Sequence, residues 1–136
     1  MEQSIEVPAV WESIERLTVF TDEIESSMPL SEAQSYLLRM VIEEIATNVI
    51  KYGYNDKTRG VIYLTCSCMD GVLRMVIRDQ GHPFDPRDQP EPDLGSDVEA
   101  RTIGGLGLFL VREFADHLSY YHDAASGWNE LVVVKG

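Results

Sequence analysis

Apolar residues recur along this chain with two periods, and the switches between them mark its elements. Alternation over 4–7 predicts a short strand. Pro8 then suits a helix start, and Val10, Ile14, Leu17 and Ile24 fall at helical spacing, which predicts an amphipathic helix over 9–26. Met28-Pro29-Leu30 breaks it. Ser31-Glu32-Ala33-Gln34 fits a capping box, in which the Ser hydroxyl and the Gln side chain satisfy exposed amides reciprocally. It opens a second helix over 31–52, with Gly53 as the stop. Residues 55–60 are turn chemistry. Alternation returns over 61–69 and 72–79, and Asp70-Gly71 between them is a type I′ hairpin signal. Over 80–102 the pattern dissolves among Pro83, Pro86, Pro90, Pro92 and several acids. Loops that long in compact domains are usually lids or binding loops. The run Ile103-Gly104-Gly105-Leu106-Gly107-Leu108 opens a third helix, with Leu106, Leu110 and Phe114 on one stripe reaching toward Leu118. Residues 118–122 and 130–135 read as a last strand pair, joined through Ser126-Gly127.

The order β-α-α-β-β-loop-α-β-β, with strands joined by hairpins, predicts a two-layer α/β sandwich. Its sheet is mostly antiparallel, and three helices cover one face. The 136 residues suit a single domain over 1–136. With 44% hydrophobic and 25% charged residues, the chain can bury a core. Lys and Arg total 11 against 23 Asp and Glu, a net charge of −12. That argues against nucleic acid or an anionic membrane as partner, since both need basic patches. It favours a basic protein partner. A bound polyanion would need local backbone donors, a few placed cations and a metal ion. Cys66 and Cys68 lie two apart in an alternating run and so share one strand face; they read as reduced core cysteines. No apolar stretch approaches the roughly 18 residues of a spanning helix. The start Met1-Glu2-Gln3-Ser4 lacks a signal-peptide pattern. Together these predict a reducing, cytoplasmic setting.

Three places carry candidate chemistry. On the second helix, Leu37, Leu38, Val41, Ile42, Ile45, Val49 and Tyr52 share one arc. Glu44 and Asn48, one turn apart, fall on its flank, while Glu43 faces solvent. An amide oxygen can ligate a hard cation such as Mg²⁺, and a carboxylate can take a proton from water or a hydroxyl. Lys51, on the same edge, could meet a phosphate. The bland alternative is a boundary pair sharing a hydrogen bond. On the strand over 72–79, Leu73, Met75, Ile77 and Asp79 share a face. Asp79 therefore points inward at the rim and needs a donor, such as a purine amine or a backbone amide. Gly81, in Gln80-Gly81-His82-Pro83-Phe84-Asp85, would let a ligand approach closely. The alternative is a strand-end Asp capping its own turn. Third, glycines at a helix start leave amides facing an anion, where the dipole favours negative charge. Arg101, just before them, is a candidate phosphate clamp. No Lys-Ser/Thr follows the last glycine, so this is not a Walker A loop.

In this order and spacing the chain resembles the GHKL ATPase superfamily, and within it the small anti-sigma-factor serine/threonine kinases. Glu44-Ile45-Ala46-Thr47-Asn48 matches the E-x-x-x-N box, extended by Lys51-Tyr52. Asp79-Gln80-Gly81 matches the D-x-G box, continued by Phe84-Asp85, and Gly105-Leu106-Gly107-Leu108 matches the G-x-G-L box. The resemblance implies the GHKL (Bergerat) fold, with ATP and Mg²⁺ bound. It implies Asn48 as the Mg²⁺ ligand, Glu44 as general base and Asp79 as acceptor from the adenine amine, with Gly81 allowing close approach. Gly105, Leu106 and Gly107 would offer amides to the phosphates, with Gly104 and Leu108 beside them. Residues 86–103 would form the lid. Two departures stand out. Relatives carry Thr or Ser near the start of the final strand, where this chain has Trp128-Asn129-Glu130. The lid is also acidic, with Arg87 and Arg101 its cations.

The leading expectation is a kinase that phosphorylates a Ser or Thr on a STAS-type anti-sigma antagonist, regulating sigma-factor-dependent transcription. A homodimer is common among relatives. The alternative is a nucleotide-gated module that sequesters a sigma factor or another regulator without transfer. A detached histidine-kinase ATP-binding domain is a third reading. None of His82, His117 and His122 looks like a phosphoacceptor.

Overall fold

The computed structural model describes residues 1–55, 60–88 and 103–136, with the first turn of the last helix given by its backbone path. The elements are β1 (Glu2–Pro8), α1 (Ser13–Ser27), α2 (Glu32–Asn48), a π turn (Val49–Gly53), β2 (Val61–Met69), β3 (Val72–Asp79), a 3₁₀ turn (Pro86–Asp88), α3 (Ile103–Phe114), β4 (His117–His122) and β5 (Asn129–Lys135). The strands form one sheet in the order β1-β2-β3-β5-β4. Every pairing among these five strands is antiparallel, which carries the mostly antiparallel expectation to its limit. The helices pack on one face, giving the predicted two-layer sandwich. None of the described helices is long and apolar enough to cross a membrane.

The hairpin of β2 and β3 falls at the predicted residues. Asp70 and Gly71 both take positive φ, 53° and 77°, as a type I′ turn requires. The inward residues of β3, Leu73, Met75 and Ile77, are buried against α2 residues Leu37, Leu38 and Val41. Full burial of each such side chain is worth about 1.5–3 kcal/mol. The capping box forms as well, with Gln34 N–H donating to Ser31 Oγ (3.1 Å) and Ser31 N–H donating to Gln34 Oε1 (2.9 Å).

Three expectations shift. Pro8 ends β1, opposite Val61 on the edge strand, where a missing N–H does least harm. The chain then turns, with Ala9 N–H bonded to the Gly60 carbonyl, and α1 starts at Ser13 rather than 9. The second helix does not run regularly to 52. A π turn takes over at Val49, and the wider turn rotates the side chains beyond it. Ile50 is therefore fully buried and Tyr52 is 64% exposed, the reverse of the α-helical arc. On α3, Leu108 and Val111 enter the core, while Phe114 is 43% exposed and sits edge-on to Tyr36 at 5.8 Å. Leu118 lies on β4. Most of the expected lid lies outside the described residues.

Candidate functional site

The register of the sheet explains where polarity begins. Successive rungs of its inward face pair Met75 with Val133 and Ile77 with Leu131; the next rung pairs Asp79 with Asn129. Ile62 and His122 extend that rung on either side. The inward layer is thus apolar until its last rung, where a carboxylate and an amide are buried at 8% and 3% exposure.

A cleft of about 520 Å³, counting its open mouth, lies between this rung and the end of α2. Ile45, Val49, Ile77, Phe84 and Leu131 form apolar walls, Asp79 and Asn129 lie at one end, and Asn48 lines the α2 side. Among the described residues no Lys or Arg lines it. An apolar slot with a few convergent polar groups suits a flat heteroaromatic ring better than a phosphate chain.

Asp79 Oδ1 accepts from Gly81 N–H (2.8 Å) and from Asn129 Nδ2 (3.0 Å). The turn-capping alternative is therefore present, yet it uses only one carboxylate oxygen. Oδ2 has no partner among the described residues. Burial raises the Asp79 carboxyl above the ordinary range; the Gly81 amide, Asn129 and His122 oppose that.

The chain itself already requires glycine at 81, whether or not a ligand approaches there. A Cβ there would come within 2.5–2.8 Å of the Gly53 backbone, and His82 N–H bonds to the Gly53 carbonyl. Only glycine lets these two backbones cross so closely.

Glu44 is half-buried and Glu43 exposed, as the helical phase predicts. Burial raises the Glu44 carboxyl, the Glu43 charge adds to this, and Lys51 opposes it. A Cβ at Gly107 would overlap the Glu44 carboxyl, so the glycine-rich start of α3 packs directly on this side chain. No hydrogen bond joins Glu44 to Asn48, which removes the boundary-pair alternative. Asn48 Nδ2 is instead buried without a partner among the described residues. Rotating the amide exchanges N and O, and an unpartnered oxygen there suits a hard cation or its water. No cluster of three or more His, Cys, Asp or Glu side chains suited to a metal occurs among the described residues. A Mg²⁺ ion would thus draw most of its ligands from water and from the phosphates of its nucleotide, as that ion usually does.

Other expected residues are more scattered. Lys51 is exposed, its ammonium 5.9 Å from the Trp11 ring centroid, and it reaches the site only through its charge. Phe84 lines the cleft. Arg87 is held by Asp85 at 2.7 Å. Gly104 and Gly105 stand in the first turn of α3, where N–H groups lack intrahelical partners; Gly107 stands one turn further. The Leu106 backbone is helical, and Leu108 is core. Arg101 lies outside the described residues.

Asn129 does not stand out in sequence beyond its departure from the pattern, because the last strand is expected to begin at 130. Extending the alternation of Leu131 and Val133 back by one step would have placed it inward. Its Nδ2 donates to Asp79 Oδ1 and to the Gly81 carbonyl (2.9 Å). Its Oδ1 accepts from the Tyr120 hydroxyl (2.8 Å) and meets His122 Nδ1 at 2.7 Å.

A family model described as a histidine kinase-like ATPase domain matches residues 7–135. A serine-protein kinase RsbW from Bacillus velezensis is 31% identical over 86 residues, 60% of this chain and 53% of that protein. The RsbW of a Listeria monocytogenes strain is 30% identical over 90 residues, 63% and 57% of the two chains. An anti-sigma F factor from Priestia megaterium is 30% identical over 111 residues, 79% and 72%. The chain spans about half the length of the RsbW relatives it matches.

Proposed function

The chain belongs to the histidine kinase-like ATPase domain family, and on that footing we propose that it is an ATP-dependent serine/threonine protein kinase of the anti-sigma-factor type. The whole of 1–136 acts as one GHKL-type ATP-binding kinase domain. Its substrate is a Ser or Thr on a small STAS-type antagonist, in the cytoplasm, and a sigma factor is a further partner. The relatives' names, serine-protein kinase and anti-sigma F factor, support this. The observation that supports it most is the end of α2, where Glu44, raised by burial, precedes by one turn an Asn48 amide nitrogen buried without a partner.

The adenine ring occupies the apolar cleft, and its exocyclic amine donates to Asp79 Oδ2. The triphosphate runs toward the start of α3, where the amides of Gly104 and Gly105 and the helix dipole meet negative charge. Asn48 would hold Mg²⁺, which when bound would neutralise phosphate charge. Glu44 accepts the proton of the partner hydroxyl as that oxygen attacks the γ-phosphorus. The bond between the γ-phosphorus and the bridging oxygen breaks and ADP departs. Catalysis of this kind rests on positioning and charge neutralisation. The phosphate adds about −1.5 to −2 charge to the partner and can release it from an interface.

Incubation with labelled ATP and a STAS-type partner tests the proposal. Glu44→Ala should bind ATP and lose nearly all transfer, about 10²–10⁴-fold; transfer at the wild-type rate would remove Glu44 as base. The nucleotide-gated binding module is favoured by one relative's being named for anti-sigma binding rather than for a kinase. Bound nucleotide with no transfer to any partner would select it.

A further inference from the structure

We infer that Asn129 is a positioning residue that sets the base specificity of the cleft through Asp79; this rests on the nucleotide-binding reading above. Its orientation is fixed by its neighbours. The nitrogen end faces two acceptors, Asp79 Oδ1 and the Gly81 carbonyl, and the oxygen end faces the Tyr120 hydroxyl. The reverse orientation would set an oxygen against two acceptors. His122 Nδ1, 2.7 Å from the same Oδ1, must therefore be the donor, which fixes the tautomer of the neutral ring. Tyr120 in turn accepts from Phe84 N–H at 3.2 Å. The hydrogen bonds thus run one way, from Phe84 through Tyr120 and Asn129 to Asp79.

With both protons and both lone pairs engaged, Asn129 has nothing left for a ligand. It is 3% exposed, so water does not take over its bonds. Its effect on a ligand passes through Asp79. By occupying Oδ1 together with Gly81 N–H, it holds the carboxylate with Oδ2 as the acceptor left for the cleft. A base presenting an amine satisfies that oxygen. A base presenting a carbonyl sets oxygen against oxygen, and a site built for one hydrogen-bond polarity rejects the other strongly.

The test is the ratio of dissociation constants for inosine triphosphate and ATP, measured with magnesium on the full chain. These ligands share the triphosphate and ribose and differ in amine against carbonyl. The wild type should prefer ATP. Asn129→Leu frees the carboxylate to turn, and the ratio should fall about tenfold, since a hydrogen bond to a charged group is lost. Tyr120→Phe removes one of the two donors to Asn129 Oδ1 and should lower it by no more than about threefold. A merely structural role would weaken both nucleotides equally and leave the ratio unchanged, which would overturn the inference. Should Asn129→Leu not fold, Asn129→Ala is read by the same criterion. A wild type that prefers ATP beside variants that keep the preference removes only the role of Asn129. A wild type that binds neither nucleotide removes the nucleotide reading, and this inference with it.

Discussion

Two side-chain amides stand near opposite ends of α2, and they are treated oppositely. Gln34, near the N-terminus, is 3% exposed and saturated. Its oxygen accepts from Ser31 N–H, and its nitrogen donates to the carbonyls of Gly71 and Lys135, each at 2.9 Å. It thereby ties the helix start to the β2–β3 turn and to the end of β5. Asn48, at the C-terminus, presents a buried nitrogen with no partner among the described residues. An unpaired buried polar group costs about 1–3 kcal/mol. Such a helix is anchored at one end, and on the function proposed above its open end is where a ligand binds. Buried polarity near the start of α2 ties elements of the fold together, and on that proposal the polarity at its end serves chemistry.

The difference can be broken from either side. Glu44→Ala, one turn before Asn48, should reduce phosphate transfer about 10²–10⁴-fold, the usual worth of a general base. Nucleotide affinity measured by calorimetry should stay near wild type. At the other end, Gln34→Ala removes the capping-box partner and orphans two carbonyls. It should destabilise the fold by about 2–4 kcal/mol in chemical denaturation while leaving nucleotide affinity unchanged once folded. Asn48→Ala should show the reverse: stability within about 1 kcal/mol of wild type or higher, because an unsatisfied group is removed, and a clear loss of affinity for Mg-ATP.

The smallest expected effect is on pH dependence. On the proposed mechanism transfer needs ionised Glu44, and its raised pKa should move the acid limb of the rate profile above the ordinary glutamate range. Rate is then lost as pH falls through that raised value. Lys51 lowers the Glu44 pKa, so Lys51→Ala should move the limb to higher pH. A limb that stays put would mean that the cation held over Trp11 has no bearing on the base.

Much of the fold was legible because local signals agreed with tertiary demands. The β2–β3 hairpin had strict alternation around a turn that needs positive φ, and the start of α2 had a reciprocal cap. In the site, helical phase alone separated Glu44 from Glu43, and strand phase alone turned Asp79 inward. What escaped depended on contacts between distant segments. The π turn that exchanges Ile50 for Tyr52 leaves no mark in a 3.6-residue pattern. Gly81 looked like room for a ligand, and its closeness to Gly53 appears only once strand and helix are packed. Asn129 was missed because one residue of strand length decides whether it reads as loop or as the inward partner of Asp79.

On the function proposed above, the open end of α2 faces a nucleotide cleft whose base is read by Asp79. Burial puts the folded pKa of Asp79 above its unfolded value. The stabilisation this brings is present at low pH and is lost as pH rises through the raised value, so near neutrality the charge is carried at a cost. Asp79→Asn should therefore melt at or above the wild-type temperature at pH 7 while losing the acceptor for the base. The direct measurement is calorimetric titration of Mg-ATP into both proteins, with a thermal melt of each. Saturable heat from the wild type and none from a well-folded Asp79→Asn is the expected result. A folded wild type that takes up no nucleotide, or a variant that binds as tightly, would contradict it.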